Sequence, residues 1–112
     1  MKNEFLLTYS VKSMGKKNSD KDSDNVRRYI DTYLLYEHDI DNIEKLDSVE
    51  TTITGMITVT GSTDNDKKNH IKKTIRGAFD ALMDTYNIED TSIEIHCAIL
   101  VQGIKKTIVF EV

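Results

Sequence analysis

Proline and tryptophan are absent from this 112-residue chain, and cysteine occurs once, at Cys97. A lone cysteine excludes an internal disulfide and agrees with a reducing compartment. No apolar run approaches the ~20 residues that a membrane-spanning helix needs. The first residues lack the basic, apolar and small-residue succession of a secretory signal, so a cytoplasmic protein without membrane contact is expected. Glycine-rich phosphate loops, nucleophile elbows and zinc spacings are also missing. No catalytic constellation and no cofactor are therefore expected. The same scarcities, beside abundant Ile, Lys, Asn and Asp, suit a low-GC genome or a mobile element, by association only.

What remains suits an ordinary globular domain. Charged residues make up 30% and apolar ones 38%, and a chain of this length closes one modest core. A single domain over residues 1–112 is expected. The net charge of −4 argues against sequence-independent nucleic-acid binding, which needs many phosphate contacts. The charge is segregated, however. Residues 20–50 hold ten acids and four bases, and residues 67–76 hold five bases and no acid.

The stretch at 49–61, VETTITGMITVTG, alternates with a period of two and is β-branched nearly throughout. It predicts a central strand with Ile53, Ile57 and Val59 turned inward. Residues 4–12 predict a first strand with Phe5, Leu7, Tyr9 and Val11 on one face. Residues 13–24 lack periodicity and predict a mobile loop. A first helix follows from Ser23 or Asp24, with Val26, Ile30, Tyr33 and Leu34 as its buried stripe. Residues 43–46 predict a short strand, with a turn expected at Asp47 and Ser48.

The second helix carries the strongest pattern: Ile71, Ile75, Ala78, Phe79, Leu82 and Tyr86 make a continuous stripe. Thr63 with Asp66 resembles a capping box, and Asn87 is a left-handed stop. Gly77 inside the helix predicts close approach to the sheet. Residues 91–101 and 104–112 predict two strands joined by a tight turn at Gln102 and Gly103. The order β-α-(β)β-α-β-β implies an α+β protein: a two-layer ferredoxin-like sandwich, its antiparallel-rich sheet of four to five strands covered on one face by two helices. The terminal apolar run TIVFEV predicts a homodimer paired through the C-terminal strand.

With FLLTYSVK opening the chain, a polar loop and helix next, KLDSVETTITGMITV entering mid-sheet and an extra final strand, the layout resembles small ferredoxin-like endoribonucleases. That group includes the CRISPR adaptation nuclease family and a related RNase antitoxin. The resemblance implies a single-strand endoribonuclease, or an RNA-binding protein, with Tyr9, Ser10 and His96 lining its site. In the CRISPR family the first strand ends in a Tyr-Asp pair whose aspartate binds metal. Here Ser10 follows Tyr9, and a neutral hydroxyl lacks the carboxylate charge that Mg²⁺ needs.

Asp20, Asp22, Asp24 and Asp31 match positions 1, 3, 5 and 12 of a calcium loop, although Asn25 stands where glycine makes the sharp turn. The alternative is that these acids complement the positive end of the first helix. His96 projects beside Glu94 and can act as a general base, while Cys97 faces the core. Lys68, Lys72 and Arg76, spaced by four, form a basic stripe, and Lys12, Lys16 and Lys17 make a basic loop. These six are the expected partner-binding residues of a small, non-enzymatic regulatory or inhibitory protein acting through protein-protein contacts.

Overall fold

Alternation of apolar and polar side chains shapes the five strands of this chain, whose computed structural model describes residues 2–46 and 51–112. The elements are β1 (Lys2–Ser13), α1 (Ser19–Leu35), β2 (Ile40–Lys45), β3 (Thr52–Thr58), α2 (Asp64–Thr85), β4 (Ile93–Val101) and β5 (Ile108–Glu111). They form one open sheet in the order β2-β3-β1-β4-β5, with every neighbouring pair antiparallel. The protein is thus an α+β fold. Val49, Glu50 and the turn expected at Asp47 and Ser48 lie outside the described residues.

β1 is the central strand. Its odd positions, Phe5 to Val11, are buried, and its even positions are exposed. Its partners continue the pattern: Leu7 lies opposite Ile53 on one side and Ile99 on the other. Both helices cover this face. Val26, Ile30 and Leu34 of α1 and Ile71, Ile75, Phe79 and Leu82 of α2 are fully buried in the same core. Tyr9 meets Phe79 edge-on with ring centroids 5.7 Å apart.

α2 starts and stops where the sequence places it. Thr63 accepts a hydrogen bond from the Asp66 amide, and Asn87 adopts φ 53°. Tyr86 leaves the buried stripe and stacks on Tyr29, centroids 5.3 Å apart. Tyr33, expected in the buried stripe of α1, is half-buried and packs at the margin of the core.

The start of α1 corrects the expected loop over residues 13–24. The helix begins at Ser19, and the connection contracts to residues 14–18. A buried polar network explains the extra turn. The Ser92 hydroxyl donates to Asp22 Oδ2 at 2.6 Å, the Lys16 amide donates to Ser19 Oγ at 2.9 Å, and the Ser19 and Ser92 hydroxyls lie 3.2 Å apart. Polarity that looks like loop in one dimension is here satisfied by a residue some seventy positions away.

β2 begins earlier than expected, at Ile40. A bulge interrupts its pairing with β3 between Asp41 and Glu44, where Asn42 has φ 54°. Among the described residues, no helix is long and apolar enough to cross a membrane.

Gly55 sits opposite Phe5. A Cβ there would lie 2.9 Å from both Phe5 Cε2 and Ile43 Cδ1, so the bare backbone makes room for the Phe5 ring. Gly55→Ala is expected to destabilise the fold by about 1–3 kcal/mol through overpacking. Urea unfolding of the two proteins checks this, and equal midpoints would show that the ring relocates freely.

Candidate functional site

Side chains opposite in parity to the core populate the sheet face that the helices leave uncovered. β1 contributes Glu4, Leu6, Thr8, Ser10 and Lys12. Leu6 pairs with Leu100 across to β4, and the two are 37% and 51% exposed. Met56 of β3 stands opposite Glu4. Leu6, Met56 and Leu100 line an apolar groove of about 650 Å³, bordered by Glu4, Asn42 and Gln102. Val109 of the edge strand, 69% exposed, lies opposite Ala98.

Nearer the other end of this face, His96 Nε2 lies 2.7 Å from Glu94 Oε1. Ser10 is the cross-strand partner of His96, and Lys12 that of Glu94. On the far side β5 brings Glu111 opposite His96. Glu94, His96 and Glu111 each offer one ligand atom, and these atoms all lie within 4.8 Å of one another.

The sequence anticipated the Glu94–His96 pair and missed Glu111. A two-residue turn at Gln102 and Gly103 would pair Val101 with Ile104 and set His96 opposite Val109. A turn does form there, with the Ile104 amide donating to the Val101 carbonyl. The chain then takes a further excursion through Lys106, at φ 68°, before β5 begins at Ile108. That delay moves the register by two residues and exchanges Val109 for Glu111.

Tyr9 does not belong with Ser10 and His96. It is 3% exposed on the opposite face, within the core, so the trio cannot line one site. The calcium-loop reading also fails geometrically, because Asp20, Asp22, Asp24 and Asp31 all lie on α1, where Asp22 is buried and Asp31 stands roughly 16 Å along the axis from Asp20. Asp22 is buried against Ser92, Asp24 meets Arg27 at 3.4 Å, and Asp31 meets Lys45 at 3.7 Å. Cys97 is buried as expected. Burial pushes its thiol up to about 12, against a smaller opposing influence of Arg76, which leaves it unreactive.

The basic residues do not form one surface. Lys12 is on the uncovered sheet face, while Lys16 and Lys17 flank the start of α1 beside Lys21. Lys72 and Arg76 line a cleft of about 810 Å³ between α2 and the α1–β2 corner, but Glu37, Asp39 and Asp80 line it too. Its charge is mixed. Within it His70 bridges to Asp39 at 3.0 Å and contacts the Thr58 carbonyl at 3.1 Å.

Arg76 is committed elsewhere. Its Nε and Nη2 donate to the Glu111 carbonyl at 3.2 and 3.0 Å, and its guanidinium lies 5.2 Å from the centre of the Phe110 ring. The Val112 amide donates to Ile95, so by alternation the Glu111 carbonyl points away from β4, toward the sheet edge. Arg76 therefore occupies an acceptor that a second copy, paired along β5, would need.

Gly77 corrects another expectation. It approaches Glu37 rather than the sheet, and a Cβ there would lie 2.8 Å from Glu37 Oε1. Burial, and secondarily Asp39, raise the Glu37 pKa above 4.5. A raised carboxyl pKa means that the fold favours the protonated form. Its stabilising contribution is present below about pH 4.5 and lost as pH rises through the folded-state value. Glu37→Gln is accordingly expected to raise the melting temperature at pH 7, with the gain disappearing at about pH 3.5. Thermal melts at the two pH values test this, and no gain at pH 7 would contradict it.

No protein-family model, curated protein or solved structure matches this chain.

Proposed function

We propose that this chain is a non-enzymatic interaction module, of the regulator, antitoxin or inhibitor type, that receives a protein partner on its uncovered sheet face. The observation that carries this reading is the Leu6–Leu100 cross-strand pair, exposed in the middle of that face beside Met56. Large apolar side chains grouped on a rigid sheet mark a contact surface more specifically than scattered ones do. The flanking Glu4, Lys12, Glu94 and Glu111 supply a polar rim with more acid than base.

A protein partner suits this surface better than RNA. Recognition of single strands on a sheet uses aromatic platforms and a basic groove. Here Phe5, Tyr9 and Phe110 all turn into the core, and among the described residues the uncovered face presents no aromatic ring. The strand order β2-β3-β1-β4 with both helices on one face supports a ferredoxin-like sandwich, to which β5 is an addition.

The lysines at 16, 17, 68 and 72 move to a secondary place in this reading, since they lie away from the apolar pair. Arg76 leaves the contact set because it secures β5. The test is capture by the tagged protein from host lysate, with and without RNase, comparing the parent with Leu6→Glu/Leu100→Glu. Burying a leucine is worth about 1.5–3 kcal/mol, so loss of both is expected to weaken capture of an RNase-resistant partner by about 100-fold or more. Circular dichroism should remain that of the parent. Capture that is unchanged in the variant, or recovery of RNA alone, would overturn the proposal.

A further inference from the structure

We propose that Glu94, His96 and Glu111 form a binding site for one divalent transition-metal ion of the Zn²⁺ class. The cluster rests on register. Glu94 and His96 are two residues apart on β4 and share a face, and Glu111 of β5 is the cross-strand partner of His96. The Val112 amide donates to the Ile95 carbonyl, which makes His96–Glu111 a non-hydrogen-bonded pair by alternation. In such pairs the strands approach most closely and facing side chains are nearest.

The donor set selects the class of ion. One imidazole nitrogen with two carboxylate oxygens suits a borderline cation, whereas Ca²⁺ and Mg²⁺ favour oxygen alone. Two ligands on one Zn²⁺ lie roughly 3.3 Å apart, given bond lengths near 2.0–2.1 Å. His96 Nε2 and Glu94 Oε1 are already 2.7 Å apart, and the whole set falls within 4.8 Å. Closing that gap takes a shift of at most roughly 1.5 Å, within reach of partly exposed glutamate side chains that need no backbone movement.

In the present arrangement the Nε2 proton is shared with Glu94. A cation would replace that proton and also neutralise Glu111, which the hydrogen bond leaves out. Three protein ligands on an exposed face leave the remaining positions to solvent, the pattern of an accessible rather than a closed site. Because the ligands come from both β4 and β5, the ion would also fasten the edge strand to the sheet. Among the described residues, this is the group that gathers three such ligand atoms. The inference stands independently of the protein-partner reading.

Calorimetric titration of the full chain with ZnCl₂ in a non-chelating buffer tests it, comparing the parent with His96→Ala and Glu111→Gln. The parent is expected to bind one equivalent, at least ten times more tightly than either variant, and Zn²⁺ should raise the melting temperature of the parent alone. His38→Ala, remote from the cluster, should behave as the parent. A parent no tighter than the variants, or one that takes up no zinc, overturns the site. Histidine ring resonances give a reading that needs no variant: Zn²⁺ should shift His96 and leave His38 and His70 unmoved. Shifts at His38 or His70 in its place would equally overturn it.

Discussion

β1 is hydrogen-bonded along both flanks, to β3 from Lys2 to Thr8 and to β4 from Phe5 to Ser13. A slip of one residue in either pairing would turn Leu7, Tyr9 and Val11 toward water and carry Thr8 and Ser10 into the core. Parity is therefore enforced by the whole hydrophobic driving force of the domain. It also distributes the chemistry. The alternation that seats Tyr9 against Phe79 removes that phenol from any surface site. The same alternation brings Leu6, Ser10, His96 and Leu100 onto one common face.

The basic side chains show how much of a formal charge can be absorbed by scaffolding. Arg76 holds the Glu111 carbonyl, Arg27 donates to the Val11 carbonyl at 2.8 Å, and Lys45 donates to the Arg27 carbonyl at 3.0 Å while facing Asp31. Each ties a helix or strand to its neighbour. A positive segment in the linear sequence thus overstates the positive surface open to a partner. Lys72 is further balanced by the acids of the cleft it borders, so the basic stripe of α2 loses the simple reading its spacing invites.

Features governed by local periodicity were legible in the sequence. The faces of β1 and β4, the buried stripe of α2 from Ile71 to Leu82, its Thr63 cap and the left-handed Asn87 all follow from spacing and side-chain type. Features governed by distant partners were not. The first turn of α1 depends on Ser92, the approach at Gly77 depends on Glu37, and the ligand group depends on where β5 resumes after its turn. In the last case the strand is where periodicity puts it, and only the length of the connection before it differs. Side-chain faces survived a two-residue displacement because two is the period of the strand, while the identity of the cross-strand neighbour did not.

Both margins of the sheet are obstructed, by different means. At β2 the bulge around Asn42 breaks the ladder between Asp41 and Glu44, and at β5 the Arg76 guanidinium occupies an outward carbonyl. Sheet growth by repeated strand addition, the elementary event of cross-β fibril formation, needs an uninterrupted row of free backbone groups. Among the described residues, that row is disturbed at each margin. In a chain rich in β-branched residues and free of proline, this leaves the exposed apolar surface on the flat of the sheet, where contact is made side chain to side chain.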